Sequence, residues 1–165
     1  MKILFILSRK MSKRCYTKYH EDLLKEEEAT QLYEYLKDNI AWVEGVRSRR
    51  GFTRKAKALD LQDDFMVEEA VTMAVSALCK IDYRIDGVYL NYYEDGNMWT
   101  PNHRHQGTHQ IVISLGAERS LMIGKKEFKM KNGSAIIFGG SVHGVPKQPE
   151  IQEGRISIAT FMTPI

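Results

Sequence analysis

Cysteine is nearly missing from this chain: Cys15 and Cys79 are the only two among 165 residues. They lie too far apart to form a metal-ligand or redox spacing, and two thiols are too few for a disulfide framework. A reduced, intracellular setting in cytoplasm or nucleus is expected. Long apolar runs are missing as well. Ile3-Leu4-Phe5-Ile6-Leu7 gives way at once to Ser8-Arg9-Lys10, too short for the core of a secretion signal and far too short to cross a bilayer. Neither secretion nor membrane contact is expected. There is little net charge, +3, so global charge does not by itself indicate nucleic acid. Repeats, low-complexity stretches and linkers are absent. What is there is ordinary: 43% hydrophobic and 27% charged residues, expected to form one domain over 1–165, acting as a monomer.

Charge is uneven along the chain. Arg47-Ser48-Arg49-Arg50-Gly51-Phe52-Thr53-Arg54-Lys55-Ala56-Lys57 holds a basic run without an acid and with one aromatic inside it. Such a stripe suits a phosphate backbone and a stacking platform, and it equally suits a solvated loop. The run lies between two helices. From Glu26 to Trp42, Ala29, Leu32, Tyr33, Leu36 and Ile40 form one apolar stripe, with Glu26, Glu27 and Glu28 at the positive end of the helix dipole. From Phe65 to Lys80, Val67, Ala70, Val71, Ala74 and Leu78 repeat the spacing, with Asp63 or Asp64 as N-cap. From Tyr83 onward short strands and turns take over: Val88–Tyr93, His109–Leu115, a hairpin over Leu121–Phe128, Ala135–Phe138 and Arg155–Phe161. Helices followed by many short strands predict an α+β fold, a curled β-sandwich with both helices on one sheet.

The chemistry gathers at His103-Arg104-His105, His143 and Arg155. In an extended strand residues i and i+2 share a face, so His103 and His105 can present two imidazoles to one ion while Arg104 points away. His143 from a distant strand would complete a facial triad with open positions, as in mononuclear non-haem iron sites. The competing reading is two solvent-facing histidines sharing a loop by chance. In the last strand, alternation puts Arg155, Ser157, Ala159 and Phe161 on one face and Ile156, Ile158 and Thr160 on the other. The β-branched face suits the helices, which sends Arg155 inward. A guanidinium there needs an anion, either a small chelating dicarboxylate or an internal partner such as Glu94 or Glu118.

From about Tyr19 to Met162 the chain resembles the AlkB-like branch of the 2-oxoglutarate- and iron(II)-dependent dioxygenases. The resemblance rests on Glu26-Glu27-Glu28-Ala29, Asn91-Tyr92-Tyr93-Glu94-Asp95-Gly96, His103-Arg104-His105, Ser114-Leu115-Gly116-Ala117-Glu118-Arg119, Asn132-Gly133-Ser134, His143-Gly144-Val145-Pro146-Lys147 and Gly154-Arg155-Ile156-Ser157, in that order. It implies a double-stranded β-helix (jelly-roll) core over about 83–163, with helical support and a basic lid over about 18–82. It implies Fe(II) on His103, His105 and His143, with 2-oxoglutarate as cosubstrate and O2 as oxidant. Arg155 and Tyr93 would grip the distal carboxylate of the cosubstrate, Asn91 would lie near its proximal carboxylate, and Ser157 would line the pocket. It further implies a single-stranded or locally opened nucleic acid as partner, met by Arg49, Arg50, Phe52, Arg54, Lys55 and Trp99, and oxidative removal of an alkyl group from a base, as in DNA repair.

Two departures stand out. His105 occupies the place of the family's aspartate, and Phe161, followed by Met162, that of a second arginine. The first admits a cupin-type metal enzyme as a rival, with Gln106 and His109 as spare ligands. Two further alternatives are an oxygenase acting on a protein or small molecule, and a catalytically silent nucleic-acid-binding relative.

Overall fold

The computed structural model describes residues 16–49 and 51–165; Cys15, Arg50 and the apolar run at 3–7 lie outside the described residues. Helix α1 spans Glu26–Asn39 and α2 spans Phe65–Leu78. The apolar stripes face inward as expected, with Ala29, Leu32 and Leu36 buried on α1 and Val67, Ala70, Val71, Ala74 and Leu78 on α2. Asp64 is the α2 cap: its Oδ1 accepts the Val67 N–H at 3.0 Å, and the Tyr35 hydroxyl of α1 donates to its Oδ2 at 2.9 Å. One carboxylate thus caps one helix and ties the other to it. α1 ends before Trp42 because Ile40 turns extended, and the Trp42 ring instead packs 5.3 Å from that of Tyr92.

Among the described residues, strands β1 (Lys18–His20), β2 (Val43–Ser48), β3 (Gly51–Leu59), β4 (Tyr83–Tyr93), β5 (Thr100–His103), β6 (His109–Gly116), β7 (Arg119–Ile123), β8 (Lys126–Met130), β9 (Ala135–Phe138), β10 (His143–Val145) and β11 (Arg155–Pro164) form two antiparallel sheets. The larger has the order β1-β9-β6-β11-β4-β3-β2 and the smaller β5-β10-β7-β8. This is a double-stranded β-helix with two helices laid on the larger sheet. Both helices pack on β6 and β11, where Leu36, Val71, Ala74, Leu90, Ile113 and Ile158 are fully buried. Each of the Leu, Val and Ile side chains contributes roughly 1.5–3 kcal/mol on leaving water. A second apolar cluster, including Val112, Leu121, Met130 and Phe138, closes the space between the sheets.

The basic segment is not a loop carried away from the core. It is the β2–β3 hairpin, and β3 pairs with β4 from Lys55–Tyr92 to Leu59–Val88, widening the large sheet. Ala56 is buried in that ladder. Gly45 has φ of 71° and lies under the Phe52 ring, where a Cβ would come within 2.2 Å of a ring carbon. It lets the hairpin close upon Phe52. Charged side chains along this edge also discourage pairing with another chain.

Candidate metal centre and anion pocket

The two sheets enclose a cavity of about 600 Å³. Along β11, alternation works as expected: Arg155, Ser157, Ala159 and Phe161 line the cavity, while Ile156, Ile158 and Met162 join the helix-side core, a bulge following Phe161. On β4 the partners in register are Tyr93 with Arg155, Asn91 with Ser157 and Tyr89 with Ala159. All three also line the cavity.

The histidines come from the small sheet. His103 ends β5 and pairs in register with His143 of β10, their ring centres 4.3 Å apart. The strands approach this closely because residue 144 is glycine: a Cβ there would meet the Thr100 carbonyl at 2.9 Å and Asn102 Oδ1 at 2.4 Å. His105 lies beyond the end of β5, not on it, so strand alternation is not what aims it. Its ring nevertheless stands 4.9 Å from His103 and 5.0 Å from Phe161. One ring nitrogen from each of the three histidines lies within 4.8 Å of the others, a set able to hold a metal ion. His103 Nδ1 donates to the Pro101 carbonyl at 2.8 Å, and His143 Nδ1 to the Ser141 carbonyl at 2.9 Å. A carbonyl only accepts, so both rings carry a proton on Nδ1, and Nε2 is the nitrogen left to face an ion.

Burial holds the His143 imidazole down at about 4, the neighbouring His103 and His105 acting the same way, and burial likewise lowers His105. Both rings are therefore neutral near pH 7, the form that ligates. His109 and Gln106 do not join the cluster. His109 Nδ1 faces the Tyr83 hydroxyl at 2.7 Å, and Gln106 is exposed in the loop after His105. Gln110 does reach it, its Nε2 3.4 Å from His143 Nε2.

At the opposite end Arg155 is 1% exposed. Its Nε donates to Ser114 Oγ at 2.8 Å, and its guanidinium carbon lies 5.3 Å from the Tyr93 ring centre. Nη1 and Nη2 are buried without a hydrogen-bond partner. The internal salt bridge is not formed: Glu94 pairs with Lys55 at 3.2 Å, and Glu118 is exposed. Burial pushes the guanidinium down to about 10, with the Tyr93 hydroxyl opposing and the Arg119 charge reinforcing the shift. It remains charged at neutral pH. The Tyr93 hydroxyl itself bonds Thr100 Oγ1 at 2.6 Å. Ser114 and Thr100 were missed in the sequence. Ser114 could have been found, since it pairs in register with Ser157 on the inward face; nothing in the sequence marks Thr100.

The hairpin divides the basic residues among three places. Arg54 lines the cavity with Arg47, which stacks on Phe52 at 4.3 Å. Lys55 pairs with Tyr92 on the helix side of the sheet and is held by Glu44 and Glu94, each at 3.2 Å, so it is not part of the cavity mouth. Arg49 and Trp99 line an adjoining surface groove with Lys147, which shares Thr100 and Pro101 with the cavity. The Trp99 N–H donates to the Thr53 carbonyl at 2.8 Å, tying hairpin to β5. Among the described residues, no carboxylate lines either space.

No protein-family model and no curated protein matches the sequence. Solved structures match in fold. The α-ketoglutarate-dependent epimerase SnoN from nogalamycin biosynthesis superposes with a TM-score of 0.69 at 12% identity, over 99% of this chain and 84% of that one. HygX from Streptomyces hygroscopicus, solved with nickel and 2-oxoglutarate bound, gives 0.66 at 7% identity, over 96% and 86%. A prolyl-4-hydroxylase from Pseudomonas putida gives 0.62 at 11% identity, over 97% and 98%. At such identities the likeness establishes the fold, a double-stranded β-helix shared with non-haem 2-oxoglutarate oxygenases.

Proposed function

We propose that the protein is an Fe(II)- and 2-oxoglutarate-dependent oxygenase of AlkB-like type that uses O2 to oxidise a C–H bond of its substrate. The observation that carries this reading is the pair of unpartnered Arg155 nitrogens, buried in the cavity that also holds the three histidines. A buried guanidinium without a counter-charge is costly, and a ligand carboxylate would supply both charge and acceptors. His103, His105 and His143 would hold the ion, three neutral nitrogens replacing the usual two plus a carboxylate. Iron would supply oxygen activation coupled to oxidative decarboxylation of the cosubstrate. Arg155 anchors the far carboxylate of a dicarboxylate, with the Tyr93 ring face beside it. Asn91 and Ser157 offer hydrogen bonds along its length, and Val112, Leu121 and Ala159 keep water from its flank.

Titration of the protein with Fe(II) and 2-oxoglutarate under argon tests the reading: a visible metal-to-ligand charge-transfer band is expected. Metal binding without that band would favour the cupin alternative, and no metal binding would favour a silent relative. His105→Asp should keep or strengthen iron binding, and His105→Ala should lose it.

For the substrate we infer an N-alkylated base in single-stranded or locally opened nucleic acid. Supporting it are Arg54 in the cavity and Arg49 and Trp99 in the adjoining groove, which no carboxylate among the described residues lines, with the exposed Phe52 ring stacked on Arg47 beside them. Lys55 is withdrawn from that set by its two ion pairs. That dispersal of charge favours a second reading, a peptide or small molecule, as in the fold-similar structures of a prolyl hydroxylase in complex with a hypoxia-inducible-factor peptide and of SnoN in complex with nogalamycin RO. Replacing Arg49, Arg50 and Arg54 by Gln separates the two. Loss of methylated-oligonucleotide binding and a flatter salt dependence are expected for the first; unchanged binding would leave the second.

A further inference from the structure

We propose that Arg54 is the second cation of the cosubstrate site, delivered by the β2–β3 hairpin, and that it positions the metal-side 2-oxo acid end that Arg155 does not reach. This rests on the oxygenase reading. Beyond Arg155, β11 offers the cavity only Ser157, Ala159 and Phe161, and Phe161 lies against His105. No further charge comes from that strand.

Arg54 comes from the other side of β4. It immediately precedes the first β3–β4 pair, Lys55 with Tyr92, and so faces away from Lys55, into the cavity. Its Nε donates to Asn91 Oδ1 at 2.6 Å and its Nη1 to Thr53 Oγ1 at 3.1 Å. Both acceptors are neutral, and among the described residues no carboxylate is paired with it. The Nε bond also fixes the Asn91 amide. With Oδ1 turned to Arg54, the Nδ2 edge must be the donor, and it meets Ser157 Oγ at 3.3 Å.

Register places this line of groups. Asn91–Ser157 is the next inward pair after Tyr93–Arg155, followed by Tyr89–Ala159 and then by Phe161 against His105. The Arg54–Asn91–Ser157 line therefore lies between Arg155 and the histidines. A dicarboxylate reaching from Arg155 to the metal centre must pass along it. Because Arg54 belongs to the hairpin, a ligand held there also joins the hairpin to β11.

Calorimetric titration of Mn(II)-loaded protein with 2-oxoglutarate and with 2-oxobutyrate, which keeps the 2-oxo acid end but lacks the distal carboxylate, tests the assignment. Arg54→Gln should weaken both acids by the same factor, about ten-fold. Arg155→Gln should weaken 2-oxoglutarate alone, bringing it to the level of 2-oxobutyrate. Arg54→Lys should recover part of the loss for both, a rescue that a purely structural role would not give. Unchanged affinities in Arg54→Gln, with wild type binding both acids, would overturn this assignment and leave the oxygenase reading intact. Wild type that binds Mn(II) but neither acid would overturn both.

Discussion

Arg119 and Arg155 are each 1% exposed, and each guanidinium carbon lies 5.3 Å from the centre of the Tyr93 ring. Their partners could hardly differ more. Arg119 donates to the carbonyls of Asp95, Met98 and Pro146 at 3.1, 2.7 and 2.8 Å and to Gln148 Oε1 at 3.3 Å. It clamps the turn after β4 to the segment after β10. Arg155 has one bond, from Nε to Ser114, and two orphaned nitrogens. Burial alone does not separate a structural charge from one kept for a ligand; the tally of unmet donors does.

The comparison breaks first at Arg119. Arg119→Met should lower stability by about 3 kcal/mol or more in urea unfolding, because several buried acceptors lose their donors at once. A loss below about 1 kcal/mol would mean that water or a neighbour replaces the clamp. Next comes ligand affinity: Arg155→Met should weaken 2-oxoglutarate binding to metal-loaded protein by about ten- to hundred-fold, as removal of a charge-assisted pair would. Calorimetry decides it, and equal affinity would remove Arg155 from the site.

A smaller effect has the opposite sign. Without ligand, Arg155→Met should unfold at a higher urea midpoint than wild type, by about 1 kcal/mol, since it relieves an unpaired buried charge. Destabilisation would instead point to an internal partner. The smallest effect is its pH dependence. Burial holds the folded Arg155 guanidinium well below its ordinary value, at about 10, so as pH rises towards 10 and beyond the native state gives up a proton that the unfolded chain keeps. Wild-type stability then rises relative to the variant. The gap between them should narrow by about 0.4 kcal/mol between pH 8 and pH 10, and a widening gap would reverse the sign assigned to the burial of Arg155.

Alternation in β11 was readable in the sequence because one face is uniformly β-branched, and it led correctly to an inward Arg155. The helix stripes and the Asp64 cap were readable for the same reason, a strong local period. The β2–β3 hairpin was not. Arg47 to Lys57 shows no apolar alternation, since one face sends Arg47 and Arg54 into the cavity and the other carries Lys55 among carboxylates. A stripe continuous in sequence therefore became three separate environments in space. β5 was hidden by its length and by Pro101, and His105 joined the cluster from beyond the strand, where the i, i+2 argument no longer applies. Arg119 stood inside a quoted motif, but nothing local showed that its partners would come from residues 95–98 and 146–148.

The position of β11 has a consequence for how the chain acquires its chemistry. It follows every other strand in sequence yet lies between β4 and β6 near the middle of the large sheet. During synthesis from the N-terminus, β4 and β6 emerge with a gap between them that only residues 155–164 can fill. Until then the helices have no completed surface to rest on, and the interior lacks Arg155 and Ser157. A nascent or truncated chain holding all three histidines would still lack the Arg155 half of the pocket, so the two halves come together in one late closing step.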